Sequence, residues 1–385
     1  MNTPTSLRIC HVASGDLWGG AEVQLALLLR VLNTFADLRV SAILFNKGKL
    51  LSELQRNGIP VSVYDEQRVM GFSLLRSLRR HFDEWRPDIV HTHRYKENLL
   101  GGLAAKSACG AVVVQTIHGL DERLRGWPRL KMAIYSQMNK AVTRAIADGI
   151  VCVSQDIAEQ TTRMFPKITS AKIPNGIDLR TVRPTVARDA KRKELGIGDE
   201  TFLIGTACRL MPVKGIEYLL QAVQFLSQRV GSERLKLFIA GDGPLRSELQ
   251  ALACRLGIER CTMFLGGRDD VYDLMSACDV YALPSLHEGV PMALLEAMRL
   301  GCAVVASNVG GIAEVVQDRI SGWLVPPQDV PALADALREL LDSPELRFQY
   351  GQKARERVER DFHAMKMASE TRLLYLRLAE RRATT

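Results

Sequence analysis

The sequence predicts an α/β protein made of two doubly wound parallel-sheet domains, and three features carry that reading. Its 385 residues are too many for one domain at roughly 100–200 residues each. Short β-branched runs alternate with amphipathic stretches from end to end, the pattern of successive βαβ units. The strand candidates are continuous apolar runs, as expected of parallel strands covered on both faces.

In the first half the strand candidates are Leu7–Ala13, Leu38–Phe45, Val61–Tyr64, Asp88–Thr92, Val112–Ile117 and Ile150–Val153. Each is dominated by residues that fit a pleated, buried surface. Between them Ala21–Leu32, Leu74–Trp85, Asn98–Ala108 and Arg129–Ile146 carry the apolar spacing of helices. The second half repeats the arrangement with Phe202–Ala207, Leu235–Ala240, Thr262–Leu265, Val280–Leu283, Ala303–Ala306 and Gly322–Val325, separated by helical stretches such as Ile216–Val230 and Pro291–Leu300. A boundary is expected after Pro174-Asn175-Gly176-Ile177-Asp178, in the polar, apolar-poor stretch Arg183–Lys193. Open sheets of this kind bind ligands outside the carboxyl ends of their strands. Two Rossmann-like domains facing a central cleft would therefore set their site in that cleft.

Composition narrows the class. With 47% apolar and 24% charged residues, disorder and collagen-like repeats are excluded. No apolar run approaches the ~20 residues of a membrane span, and Met1 to Gly15 lack a signal-peptide core, so a cytoplasmic chain is expected. The eight cysteines form no C-x-x-C pair and most lie in apolar runs, which suggests buried thiols rather than disulfides or zinc ligands. Net charge is +8, compatible with nucleic acid, anionic lipid or a phosphorylated substrate. Its distribution is uneven: residues 68–144 hold 14 basic against 6 acidic side chains, which accounts for the whole surplus.

Four strand-to-helix turns carry candidate chemistry. Pro284-Ser285-Leu286-His287-Glu288-Gly289-Val290-Pro291-Met292 leads from Val280–Leu283 into a helix holding Glu296. Backbone N–H groups around Gly289, Val290 and Met292 suit a diphosphate, and a carboxylate early in the helix can accept from a ribose diol. Taken alone, Glu288 reads as a helix cap and Glu296 as a solvated charge; the surrounding Pro-Ser…Glu-Gly…Pro…Glu-Ala context favours function. Arg209 ends Phe202–Ala207 and Lys214 opens the next helix, a fork and a point charge able to neutralise a diphosphate leaving group. Gly241-Asp242-Gly243-Pro244 is a glycine turn that lacks the third glycine and the acidic residue of a dinucleotide fingerprint, so NAD is not expected. It is either a pocket wall or a plain tight turn. Gly19 and Gly20, after the first strand, form a small anion nest or an ordinary turn without a Walker sequence.

His118 ends Val112–Ile117 and is expected to face the cleft. His91 and His93 point to one face of their strand like a metal pair, but no third ligand is apparent and packing is the expected role. With no Asp-x-Asp element either, no metal and no other cofactor is expected.

Together these residues resemble glycosyltransferase family 4, retaining transferases of the GT-B fold. The resemblance spans nearly the whole chain, and it is carried by Gly19-Gly20, His118-Gly119, Val153-Ser154, Pro174 to Asp178, Arg209, Lys214-Gly215 and Gly241 to Pro244. It continues through Glu288-Gly289, Glu296-Ala297, Asn308 to Gly311, Glu314, Gly322 and Leu324-Val325-Pro326. It implies that Glu296 holds the ribose hydroxyls and that Glu288 contacts the donor sugar, with the following backbone on the phosphates. Arg209 and Lys214 would stabilise the departing diphosphate, His118 would approach the donor sugar, and Gly20 would approach the phosphates. Residues 1–180 would be the acceptor domain and 190–361 the nucleotide-sugar domain, with a helix over about 362–385 packing back on the first.

The implied reaction moves a sugar from a nucleotide-diphosphate sugar, by default a UDP-sugar, to a glycan or lipid-linked acceptor of cell-surface polysaccharide or lipopolysaccharide. Retention by front-side displacement suits a sequence rich in cations and helix N-termini but lacking an obvious carboxylate nucleophile in the first domain. Arg76, Arg79, Arg80 and Arg86, then Arg123, Arg125, Arg129 and Lys131 interleaved with Trp127 and Tyr135, suggest peripheral binding to an anionic membrane at its inner face. The alternatives are a solvated surface for that stretch and, for the whole chain, a nucleotide-sugar epimerase of similar fold. A non-catalytic nucleic-acid-binding protein would leave Glu288 and Glu296 unexplained, so nucleic acid is not an expected partner.

Overall fold

The computed structural model describes residues 6–16, 18–68, 71–119 and 127–384. The chain divides into two compact units, Met1–Asn175 with Ala364–Thr385, and Gly176–His363.

In the first unit seven parallel strands form one sheet: β1 (Leu7–Ala13), β2 (Leu38–Leu44), β3 (Val61–Val63), β4 (Ile89–His93), β5 (Val112–Ile117), β6 (Gly149–Cys152) and β7 (Thr169–Lys172). Their order is β3-β2-β1-β4-β5-β6-β7, so the winding reverses between β1 and β4. β1 and β4 are buried throughout their centres because helices cover both faces of the sheet. One face packs Leu25, Leu28, Leu29 and Leu32 against β1 and β2; the other packs Leu74, Leu78 and Phe82.

The second unit holds six parallel strands, β8 (Phe202–Ala207), β9 (Leu235–Ala240), β10 (Thr262–Gly266), β11 (Val280–Leu283), β12 (Ala303–Ser307) and β13 (Trp323–Val325). Their order is β10-β9-β8-β11-β12-β13, with the reversal between β8 and β11. Leu219, Leu220, Val223, Leu237, Val280, Val305 and Leu337 anchor its core. In both units, then, the chain leaves a gap at the carboxyl edge where two neighbouring strands send their loops in opposite directions, and ligands of such sheets bind there.

Three expectations need correction. β7 was not anticipated, because Thr169-Ser170-Ala171-Lys172 is a half-exposed edge strand with no apolar run to mark it. The division between units falls between Asn175 and Gly176, earlier than residue 180 and inside the Pro174–Asp178 motif. Ile177 N–H donates to the Phe362 carbonyl (2.9 Å), which sews this segment to the end of the second unit. The polar stretch Arg183–Lys193 is not a free linker, since its helix, Arg188–Glu194, is bonded into the second unit. Buried Arg192 donates to the Ala277, Gly198 and Thr201 carbonyls and pairs with Asp279 (3.2 Å), while the Asp273 carboxylate accepts from Thr185 and Val186 N–H. Polar composition imitates a linker here because the polar groups are satisfied internally.

The helix Ala364–Thr384 returns to the first unit. Met367, Ala368, Leu374, Tyr375 and Leu378, spaced by three and four, bury one face in that unit's core. Arg372 fixes its outer side by a forked pair with Asp37, 2.6 Å at the shorter contact. All eight cysteines are free thiols, and five of them are buried.

Candidate functional site

The loops after β8, β9, β11 and β12 interlock backbone to backbone. A Cβ on Gly241 would stand 1.9 Å from the Cys208 carbonyl oxygen, and one on Gly243 2.5 Å from that of Leu210. Leu210 N–H donates to the Asp242 carbonyl (2.9 Å) and Leu245 N–H to that of Leu210 (3.2 Å). What demands glycine at 241 and 243 is therefore the neighbouring loop. Their turn fixes the path of the loop that carries Arg209. Gly311 does the same on the other side, where a Cβ would meet the Gly289 carbonyl oxygen at 1.9 Å and where its N–H donates to Glu288 (3.1 Å).

This frame brings Lys214 and Glu288 together. Lys214 ends a short 3-10 turn, Pro212–Lys214, rather than opening the helix, which starts at Ile216 beyond Gly215. Lys214 Nζ lies 2.5 Å from Glu288 Oε1, and the buried Ser285 hydroxyl donates to the same oxygen at 2.8 Å. Leu286 N–H donates to the Val213 carbonyl (2.8 Å), which locks the two loops in register. Arg209 is exposed and forms no ion pair among the described residues.

Pro291 stands one residue before the helix Met292–Arg299, as its N-cap. The first intrahelical bond runs from Leu295 N–H to the Pro291 carbonyl (3.3 Å), so the preceding N–H groups have no acceptor within the helix. Val290 and Met292 bury their side chains at this turn. Glu296 lies further along the helix, where its Oε1 accepts from the Tyr272 hydroxyl (3.2 Å). Burial pushes the Glu296 carboxyl up from 4.5 to about 7, only partly opposed by Tyr272.

The first unit presents a second cluster at its own reversal point. Gly19 precedes the helix Gly20–Leu32, and its N–H donates to Glu22 Oε2 (3.1 Å). Glu22 Oε1 is gripped by Arg94, the residue between β4 and the helix Tyr95–Ala108. Arg94 has φ +75°, a strained backbone for a side-chain-bearing residue. Ala13, Ser14, Ala21, Glu22, Leu25, His93, Arg94 and His118 line one small recess.

The histidines of this unit form a cluster with a member that sequence reasoning missed. Register sets His11 on β1 opposite His91 on β4, so a third imidazole does stand beside His91 and His93. One ring nitrogen of each lies within 4.8 Å of the others. The His91 and His93 rings stack at 17° and those of His11 and His93 at 19°, and both nitrogens of all three rings are engaged in hydrogen bonds. His11 Nδ1 meets His93 Nε2 (3.1 Å), and His93 Nδ1 meets His118 Nε2 (3.3 Å). His91 meets the Tyr375 hydroxyl and the Thr116 hydroxyl, each at 2.6 Å, and Tyr375 also meets His11 Nε2 (3.1 Å). Burial drives every one of these rings toward the neutral form, His11 to about 3 and His118 to about 4.

Tyr272, Arg94, Glu22 and Tyr375 were absent from the expected site, and Ser285 stood in the Pro-Ser…Glu-Gly motif without a role of its own. Of the four absent residues Glu22 left a local signal, a Gly-x-x-Glu opening of its helix. Of the basic residues singled out between 68 and 144, Arg76, Arg79 and Arg80 are exposed on the helix Gly71–Trp85, beside Phe72, which is 83% exposed. Arg123 and Arg125, and the side chains of Trp127, Arg129, Lys131 and Tyr135, lie outside the described residues. No described helix is long and apolar enough to cross a membrane.

Comparison with known proteins agrees with this architecture. Residues 18–181 match the family described as Glycosyltransferase Family 4, and residues 187–357 match Glycosyl transferases group 1. The N-acetyl-alpha-D-glucosaminyl L-malate synthase of Bacillus anthracis is 30% identical over 292 residues, 75% of this chain and 74% of its own. The UDP-Gal:alpha-D-GlcNAc-diphosphoundecaprenol alpha-1,3-galactosyltransferase of Escherichia coli is 28% identical over 312 residues, 78% of each chain. Among solved structures, Anabaena HepE in complex with UDP and glucose superposes with a TM-score of 0.83 at 23% identity, over 96% of this chain and 99% of its own.

Proposed function

The chain belongs to glycosyltransferase family 4 and has the GT-B type of fold, and from that premise we propose that it is a retaining, metal-independent transferase. Its donor is a nucleotide-diphosphate sugar, with UDP-sugars favoured. Its acceptor is a glycan or lipid-linked sugar of cell-surface polysaccharide or lipopolysaccharide synthesis. The observation that carries this reading is the Lys214–Glu288–Ser285 cluster at the reversal point of the second sheet, with half-buried Glu296 on the helix that follows.

Each group has a role that follows from its chemistry. Glu296 accepts from the ribose hydroxyls, which favour its ionised form. The N–H groups at the start of Met292–Arg299, which have no acceptor within the helix, meet the diphosphate together with the backbone of Gly289 and Val290. Arg209 and Lys214 neutralise the charge that grows on it as the sugar departs. In the ligand-free protein Glu288 holds Lys214 in position; with donor bound, Lys214 turns to phosphate and Glu288 to the sugar. The anomeric C–O bond to the diphosphate breaks while the acceptor oxygen bonds to the same face. The acceptor proton passes to the departing phosphate oxygen. No protein carboxylate need form a covalent intermediate, so catalysis rests on positioning and electrostatics. His118 offers a hydrogen bond to a substrate sugar, and Gly19 and Gly20 lie where the backbone approaches an anion.

The basic helix Gly71–Trp85, with exposed Phe72, Arg76, Arg79 and Arg80, supports a peripheral location at the inner, anionic face of a membrane. It suits a lipid-linked acceptor.

Incubation with a panel of nucleotide sugars tests the reading by thermal shift and by slow donor hydrolysis. A UDP-sugar is expected to raise the melting temperature, and transfer to retain anomeric configuration by NMR. Isomerised sugar from donor alone would favour an epimerase and overturn the proposal. Activity should persist in chelator; loss there, restored by a divalent ion, would overturn metal independence.

A further inference from the structure

The histidine cluster holds an unbroken line of hydrogen bonds through Thr116, His91, Tyr375, His11, His93 and His118, with separations of 2.6, 2.6, 3.1, 3.1 and 3.3 Å in that order. We propose that this line is a proton-ordered wire with only two arrangements, through which Tyr375 fixes the direction of the hydrogen bond that His118 Nδ1 offers a substrate sugar hydroxyl. The last step rests on the glycosyl-transfer reading; the wire itself does not.

The constraint follows from counting protons. A neutral imidazole carries one N–H and one lone pair, and each hydrogen bond needs one proton between its two atoms. Tyr375 has a single hydroxyl proton and faces two ring nitrogens. If it donates to His11 Nε2, His11 must carry its proton on Nδ1 and donate to His93 Nε2. His93 then donates from Nδ1 to His118 Nε2, which leaves His118 with Nδ1–H. On the other side His91 donates from Nδ1 to the Tyr375 oxygen and accepts from Thr116 at Nε2. If Tyr375 donates to His91 Nδ1 instead, every bond reverses, and all four rings carry Nε2–H. His118 Nδ1 is then a bare acceptor.

In either arrangement the four histidines share one tautomer. A mixed set leaves two protons facing each other, a pair of opposed lone pairs, or the Tyr375 hydroxyl proton without an acceptor in the line, in a buried site where such a group is costly. Thr116 is the adaptable end, because its hydroxyl can rotate to donate or accept. His118 is the other end, half-buried beside the recess lined by Glu22 and Arg94. Whether a sugar hydroxyl there must donate or accept is thus decided jointly with a tyrosine 257 positions away in sequence, on the C-terminal helix. The neutral state that the counting requires agrees with the strong downward push that burial exerts on all four rings.

Long-range 15N–1H NMR of ligand-free protein labelled at its seven histidines tests this, with signals assigned by single substitution. His11, His91, His93 and His118 are expected to report one common tautomer; any two that differ would overturn the wire. Tyr375→Phe and Thr116→Val, at positions linked to His118 only through the other members of the line, are each expected to move the His118 ring nitrogen signals. If both variants fold and those signals stay unchanged, Tyr375 does not set the direction and the proposal fails. In kinetics, Tyr375→Phe should lower kcat roughly twofold to tenfold, the worth of one misdirected hydrogen bond, and leave UDP affinity unchanged. Equal loss of UDP affinity would assign Tyr375 a merely structural role. Because the tautomers are read without substrate, failure of the transfer reading leaves that measurement interpretable.

Discussion

Glu296→Gln should weaken nucleotide binding and at the same time stabilise the empty protein, because burial opposes the charge that the nucleotide needs. The carboxyl has been raised to about 7 by desolvation, with Tyr272 as its hydrogen-bond donor. If ribose hydroxyls donate to the carboxylate, UDP selects the ionised form. About a tenth of the protein is ionised at pH 6 and about nine tenths at pH 8, so affinity should rise roughly tenfold over that interval. The terminal phosphate of UDP titrates near pH 6 as well. That contribution persists in Glu296→Gln, so the difference between the two proteins isolates the carboxyl. Binding should also release protons near pH 7, detectable by calorimetry in two buffers of different ionisation enthalpy. Stability has the opposite sign. A carboxyl whose folded pKa is raised contributes fully below pH 4.5, and its contribution is lost as pH rises through 7. The shift corresponds to at most about 3 kcal/mol. Glu296→Gln should therefore melt higher than the natural protein at pH 8 and no higher at pH 4.5. Parallel pH profiles for the two proteins, or unaltered UDP affinity in the variant at pH 8, would refute the reasoning.

Four other outcomes are expected. Arg209→Ala and Lys214→Ala should each cost about 2–4 kcal/mol of transition-state stabilisation, read as kcat/KM; a near-natural rate in either would remove that residue from the mechanism. Lys214→Ala should change the melting temperature little, since its pair with Glu288 is partly exposed. Gly311→Ala should destabilise the second unit by about 1–3 kcal/mol or more, because its Cβ would collide with the Gly289 carbonyl at 1.9 Å; an unchanged denaturation midpoint would contradict the packing described. Alanine at Arg76, Arg79 and Arg80 should weaken binding to anionic vesicles at low salt by about 1 kcal/mol per arginine. Failure of the natural protein to co-sediment would end the membrane proposal.

Much of this protein is written locally. Twelve of the thirteen strands among the described residues follow from short apolar runs, since a strand buried on both faces must be continuous in sequence. Glu288 and Glu296 are eight residues apart across one strand-to-helix turn, and their spacing alone sets them near the same sheet edge. β7 escapes because an edge strand needs no apolar signature, and Arg188–Glu194 escapes because its charges are paired with distant Asp270 and Asp279. The charge surplus of residues 68–144 is fixed by sequence, whereas only the fold exposes Arg76, Arg79 and Arg80 together with Phe72.

The Lys214–Glu288 pair and the histidine line were set by tertiary structure. They depend on which strands are neighbours, and parallel order joins segments that the sequence separates. Register sets His11 opposite His91, and the returning C-terminal helix then brings Tyr375 against both. His118 itself was legible as the polar end of an apolar strand. The five groups behind it were not, because a hydrogen bond between residues 11 and 375 leaves no trace in the order of the amino acids.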